Sequence, residues 1–211
     1  MTNPWLEIAV DDYVGHMASP EVGQHQVLNR LFREILRSVR PRSVLVLGCS
    51  TGNGFEHIDP GVTARVVGVD INPQYLQRLV ERFPDPAFNL EVRCTDLSDC
   101  AFEAAAFDLV HSALVFEYIE WPRLLPRLVE TLAFHAVLSV VLQAPSRVSP
   151  AVTPTRFTSL RALESVFRFV DRDGLIREAA ESGLRLEWHR SVQLKAGKTF
   201  AVLGFRKTGE V

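Results

Sequence analysis

The chain is predicted to be a doubly wound α/β domain with a mostly parallel sheet, and three observations carry this. Five short apolar, β-rich runs recur through the middle of the sequence: "SVLVLG" (Ser43 to Gly48), "RVVGVD" (Arg65 to Asp70), "LEVRCTD" (Leu90 to Asp96), "FDLVHSALV" (Phe107 to Val115) and "AVLSVVLQ" (Ala136 to Gln143). Segments with helical spacing, such as "NPQYLQRLVERF" and "WPRLLPRLVETLAF", lie between them. Strands alternating with helices are the signature of a parallel sheet covered on both faces. Near the C-terminus, "LRLEWHRSVQL" and "KTFAVLGFR" are separated only by "KAG", a turn containing Gly197. Strands joined so tightly must run antiparallel. An open parallel sheet ending in a hairpin follows.

The elements are justified in order along the chain. "EVGQHQVLNRLFREILRSV" carries Val27, Leu28, Leu31, Phe32, Ile35 and Leu36 on one stripe, and Pro41 stops it. One amphipathic helix therefore precedes the sheet. After the fifth strand, "APSRVSPAVTPT" (Ala144 to Thr155) is rich in proline, serine and threonine and predicts a long loop, a length that is usually functional. Helical stretches follow around Ser159 to Val170 and Asp173 to Ser182, then the hairpin. The expected organisation is a single domain over 1–211: an N-terminal helical cap at 1–40, a core at 43–143, loop and helices at 144–182, and a C-terminal hairpin at 184–206.

Composition narrows the class. With 211 residues and 47% hydrophobic content the chain can bury one core and is short for two ordinary domains. A formal charge of −2, with Lys195, Lys198 and Lys207 the only lysines, leaves no polycationic run of the kind that grips phosphates, so no nucleic-acid partner is expected. Cys49, Cys94 and Cys100 are odd in number and lack paired spacing, which argues against a disulfide framework or structural metal and for a reducing, cytoplasmic setting. The opening "MTNPWLEIAVDDY" lacks the design of a secretory signal, and no apolar run reaches membrane-spanning length.

The first strand runs straight into a glycine loop, "VLVLGCSTGNGFEHID". A dinucleotide fingerprint needs glycines at the first, third and sixth positions of the turn. Counted from Gly48 those positions hold Gly48, Ser50 and Asn53; counted from Gly52 they hold Gly52, Gly54 and His57. A phosphate loop fails as well, since no Lys-Ser or Lys-Thr closes it. Yet Asp70 ends the second strand, where an acid accepts both ribose hydroxyls. Asp96, in "CTDLSD" at the end of the third, is placed to accept from an exocyclic amine with Leu97 beside it. Ribose plus adenine without pyrophosphate suggests S-adenosylmethionine. Other uses stay open: Asp70 and Asp96 as caps, Cys49 as a small packed residue, Asn53 as a helix cap.

On these motifs the sequence resembles the class I S-adenosylmethionine-dependent methyltransferases, over about Tyr13 to Arg206. "LVLGCSTGNG" is similar to the family's first motif, with Ser50 at the middle glycine and Val46 at its usual acidic position; "VVGVDINPQYL" is similar to the ribose motif, "CTDLSD" to the adenine motif, and "FDLVHSALVFEYI" to the fourth-strand motif. The resemblance implies a seven-stranded sheet in the order 3-2-1-4-5-7-6 with the last strand antiparallel, and S-adenosyl-L-methionine as cofactor. It implies a cofactor site of Tyr13, His16, Gly48, Cys49, Ser50, Gly52, Asn53, Asp70, Ile71, Asp96, Leu97, Ala113 and Leu114. The family's Pro-Gly-Gly before the fifth strand is replaced by Phe134, His135 and Ala136, so that turn is expected to differ.

Methyl transfer is an in-line displacement that rests largely on proximity and desolvation, with a base needed only if the acceptor must lose a proton. Glu117 and Tyr118, after the fourth strand, are the candidate catalytic pair, and His111 is expected in the core. The acceptor pocket is expected to be walled by Tyr13, His16, Glu117 and Tyr118 under the proline-bearing loop. Trp5 is a further candidate, and Arg147 and Arg156 are candidates to clamp a carboxylate. A small-molecule acceptor is the leading expectation. A macromolecular methyltransferase and a non-catalytic adenosyl-binding regulator are the alternatives.

Overall fold

The computed structural model describes residues 3–147 and 149–209; of the expected cap and proline-bearing loop, residues 1, 2 and 148 lie outside it. Strands β1 (Ser43–Leu47), β2 (Arg65–Asp70), β3 (Asn89–Cys94), β4 (Phe107–Ala113), β5 (Leu132–Gln143), β6 (Leu184–Gln193) and β7 (Thr199–Lys207) form a sheet in the order β3-β2-β1-β4-β5-β7-β6. The pairs among β1 to β5 are parallel, and β7 is antiparallel to both β5 and β6. The expected topology is the observed one.

β1 shows why the sheet is covered twice. Its residues 44–47 are all buried. Leu45 and Leu47 join the core beneath α4 (Trp121–Thr131) and α5 (Arg172–Glu181), while Val44 and Val46 join the opposite core beneath α2 (Gln24–Val39) and α3 (Pro73–Arg82). Side chains alternate across a strand, so a continuous apolar run needs helices on both faces. Each such side chain contributes about 1.5–3 kcal/mol on burial. None of the described helices is long and apolar enough to cross a membrane.

Three elements differ from expectation. Two α-helices precede the sheet, because α1 (Val10–Ala18) forms where only an irregular segment was expected. α1 buries His16 alone, and contains Gly15, so its own pattern is weak. Docking supplies the rest: Tyr13 stacks on Tyr75 with centroids 4.9 Å apart, and Gly15 lies so close to Phe157 that a Cβ there would sit 2.2 Å from the ring. The stretch beginning near Ser159 is a 3-10 helix over Thr158–Ser165. β5 begins at Leu132 with a register shift between the Phe107–Leu132 and Leu109–Val137 pairs, and His135 takes a left-handed φ of 61°. This irregularity stands where the Pro-Gly-Gly turn was missing.

Candidate functional site

A cleft opens beyond the carboxyl ends of the parallel strands, where β1 lies between β2 and β4 and the strand order reverses, the usual ligand position in an open α/β sheet. Solvent at its mouth included, it encloses about 1100 Å³, within reach of small-molecule sites. The loop after β1 forms its floor. Gly48 has φ 59°, and a Cβ there would stand 2.6 Å from Val115 Cγ2 on the loop after β4, so the two loops meet closely. Ser50, at the family's middle glycine, also takes a left-handed φ of 48°. Its amide is fixed there by donating to Asp70 Oδ2 at 2.8 Å.

Asp70 is the most constrained charge in the cleft. Oδ1 accepts from the Asn72 amide at 2.9 Å, so each carboxylate oxygen already holds one backbone N–H. The carboxyl is buried, which raises its pKa to about 6 against the opposing pull of those amides. Tyr75, in the first turns of α3, is 1% exposed and lines the same cleft with an unpartnered hydroxyl, and the Ser50 hydroxyl is also buried and unpartnered. Buried polar atoms left open in this way are unusual in a finished core and mark places a ligand would satisfy. At the other end Asp96 Oδ1 accepts from the Ser98 amide and hydroxyl, and Oδ2 has no partner among the described residues.

Of the expected site residues, Tyr13, His16, Gly48, Ser50, Asp70, Ile71, Asp96, Leu97, Ala113, Leu114 and Tyr118 all line this cleft, and so does Trp5. Cys49 and Asn53 do not. They line a smaller cavity of about 620 Å³ by the same measure, beneath the glycine loop, together with Val46, His25 and His111. Cys49 is buried against Gly68, and burial pushes its thiol well above the ordinary value. Asn53 caps no helix: its amide donates to the His25 carbonyl at 2.9 Å and accepts from Asn29 at 3.0 Å, tying the loop to α2. Gly52 lines neither cavity and packs against Leu79 with φ 74°. His111 is a core residue, stacked on Phe32 and within 3.3 Å of the Ser139 hydroxyl.

Glu117 corrects the expected pocket wall. It is 1% exposed and does not line the cleft; Oε1 accepts from the Gln143 amide at 2.7 Å, and Oε2 has no partner. The 3-10 turn Phe116–Tyr118 aims Tyr118 at the cleft and turns its neighbour inward. Burial raises Glu117 to about 7. Arg147 and Arg156 are exposed and likewise absent from the wall; Arg156 lies over the Phe157 ring instead.

The roof is made by α1 and residues 151–167. His16 Nδ1 lies 3.0 Å from the Thr155 hydroxyl, Ser159 donates to Asp12, and Ala151, Val152, Leu160, Leu163 and Phe167 face the cleft. Burial, then the nearby Lys198, lowers His16 to about 4, so its ring is neutral at physiological pH. Lining residues that the sequence did not single out include Gln24, Tyr75, Gln143 and Lys198. Only Tyr75 had a signal, lying just past the ribose-type acid at the start of a helix. No cluster of three or more metal-ligating side chains occurs among the described residues.

Residues 44–134 match the family model described as a methyltransferase domain. Among solved structures, the N-methyltransferase NodS from Bradyrhizobium japonicum WM9, in complex with S-adenosyl-L-homocysteine, is similar at 20% identity, covering 88% of this chain and 88% of that one with a TM-score of 0.68. An S-adenosylmethionine-dependent methyltransferase from Mesorhizobium loti is similar at 19% identity over 82% of this chain and 96% of its own, TM-score 0.61. The [4+2]-cyclase SpnF has the same fold at 13% identity over 88% of this chain and 82% of its own, TM-score 0.67. No curated protein sequence matches the chain.

Proposed function

We propose that this chain is an S-adenosylmethionine-dependent methyltransferase that transfers the methyl group to a small-molecule acceptor, a reading supported by the matched methyltransferase domain and by the fold. The observation that carries the reading is the Asp70 carboxylate at the cleft floor. Both of its oxygens are oriented by backbone amides and each keeps a lone pair for a ribose hydroxyl. Asp96 offers its open oxygen to the adenine amine, with Ile71 and Leu97 as apolar flanks. The open hydroxyls of Tyr75 and Ser50 fit the polar remainder of the cofactor.

S-adenosylmethionine supplies a methyl group on a sulfonium when bound. The chain's part is to hold, orient and exclude water. Burial keeps Tyr13, at about 12, and Tyr118, raised further, in their protonated forms, so both act as hydrogen-bond donors and not as bases. Glu117 is a positioning residue for the β5 end, through the Gln143 amide. Placement and desolvation therefore carry the reaction. The roof of α1 and residues 151–167 favours an acceptor small enough to be enclosed, and the near-neutral charge argues against a nucleic-acid chain. The three free cysteines suit a reducing, cytoplasmic compartment.

The test pairs calorimetry of S-adenosylhomocysteine binding with a labelled-methyl assay on a fractionated cell extract. Binding together with a labelled small molecule supports the reading. Label only in protein or nucleic acid overturns the small-molecule acceptor, and binding with no transfer to any fraction makes the chain a non-catalytic regulator.

A further inference from the structure

Lys198, at the turn before β7, is 3% exposed and lines the cleft, yet it forms no ion pair among the described residues. Its Nζ donates to two neutral oxygens, Gln143 Oε1 at 3.1 Å and the Ala151 carbonyl at 2.7 Å. The Gln143 amide is held in that orientation by its own bond from Nε2 to the Ala151 carbonyl at 3.0 Å. An ammonium has three protons, so one remains. A buried charge with only neutral partners is costly unless a counter-charge completes it.

Two more open polar groups share the cavity. Gln24, 5% exposed, has no side-chain partner among the described residues. His16 uses Nδ1 on Thr155 and leaves Nε2 unbonded. The nearby carboxylate of Glu117 is taken up by the Gln143 backbone amide and makes no pair with the lysine. One formal positive charge beside a neutral imidazole and an amide matches a singly charged, planar anion better than a phosphate dianion. Around it stand Trp5, Tyr118, Val152, Leu160, Leu163 and Phe167, an apolar and aromatic wall.

We propose that the methyl acceptor is a small apolar or aromatic monocarboxylic acid, its carboxylate held by Lys198 with Gln24 and His16 and its body against the aromatic wall. This rests on the methyltransferase reading above and names the acceptor class for the same cleft. The carboxylate is the handle that positions the molecule, whichever of its atoms receives the methyl.

The experiment uses the full chain saturated with S-adenosylhomocysteine, titrated with benzoate and hexanoate, each against its neutral amide. The carboxylates are expected to bind about 10- to 100-fold tighter than the amides, the scale of a charge-assisted hydrogen bond. Lys198→Met is expected to erase that preference and leave S-adenosylhomocysteine affinity within about twofold, since Lys198 faces the acceptor. Gln24→Leu leaves the lysine's contacts intact and is expected to lower carboxylate affinity severalfold, which keeps the idea exposed should Lys198→Met not fold. Equal binding of acids and amides to the wild type overturns the proposal, as does a Lys198→Met variant that keeps the preference. A large loss of S-adenosylhomocysteine affinity in Lys198→Met also overturns it, because the lysine would then hold the cofactor's own carboxylate. Failure of the wild type to bind S-adenosylhomocysteine overturns the methyltransferase reading and this one with it.

Discussion

Protonating Asp70 should weaken cofactor binding within an accessible pH range. The carboxyl has a pKa of about 6 because burial disfavours its charge more than the Ser50 and Asn72 amides favour it. Ribose hydroxyls donate to a carboxylate, and a protonated carboxyl surrenders one of the two acceptors they need. Going from pH 7 to pH 5, the ionised fraction falls from about ten-elevenths to about one-eleventh, so affinity for S-adenosylhomocysteine should fall about tenfold, or ~1.4 kcal/mol. Tyr13, Tyr75 and Cys49, the titratable groups beside Asp70, have raised values and stay neutral throughout, and His16 titrates lower, near 4. Calorimetry at the two pH values, on wild type and on Asp70→Asn, isolates the effect. Asp70→Asn should bind about 10- to 100-fold more weakly at pH 7 and show little slope, because its amide presents a donor where the hydroxyls need an acceptor. A wild-type affinity that is flat from pH 7 to 5, or an Asn variant with the wild-type slope, refutes the assignment.

Glu117 makes a separate prediction about stability. Its folded value of about 7 lies above the ordinary carboxyl value, so the native state binds the proton more tightly. Stability from this group is greatest below the unfolded value and is lost as pH rises towards and through 7, about 2–3 kcal/mol between pH 5 and 8. Glu117→Gln keeps the acceptor for the Gln143 amide and should flatten that dependence in urea titrations; an unchanged slope speaks against it. Gly48→Ala should destabilise by about 1–3 kcal/mol through its φ of 59° and the 2.6 Å approach to Val115, and Val115→Ala should recover part of that loss in a double-mutant cycle. Strict additivity in the cycle would show that the two do not touch. Of the three cysteines only Cys94 is exposed, so a thiol reagent should titrate one group in the native protein and three after denaturation. Rapid modification of Cys49 in the native state would contradict its burial.

The centre of the sheet was legible because strands such as β1 and β2 are buried on both faces, and such strands advertise themselves as unbroken apolar runs like residues 44–47. The acids at strand ends were legible for a related reason: Asp70 follows four buried apolar or glycine positions, and the chain places a charge there only where the strand leaves the core. α1 was not legible. Its helix depends on Tyr13 meeting Tyr75 and Gly15 meeting Phe157, contacts between residues far apart in sequence. Glu117 was expected to face the acceptor pocket and Lys198 was not singled out at all. The sharp 3-10 turn buries the glutamate behind the cleft, and the roof over the β5 and β7 ends buries a lysine that a turn would ordinarily leave on the surface. Local pattern carries the period of a strand. It does not carry which side chain a turn faces inward.

The roof over the cleft also sets a timescale. α1 is fastened to the residues opposite by a few small links, His16 to Thr155, Asp12 to Ser159 and Gly15 against the Phe157 ring, and none of them is a rung of the sheet. These links narrow the way out for a ligand seated beneath, and they can part without disturbing a strand. Such local contacts can open without global unfolding, and loop motions of this kind run from nanoseconds to microseconds, lid opening from microseconds upward. Turnover in this chain is then expected to be tuned by substitutions at the seam between α1 and residues 155–159, with dissociation rates responding long before melting temperature does.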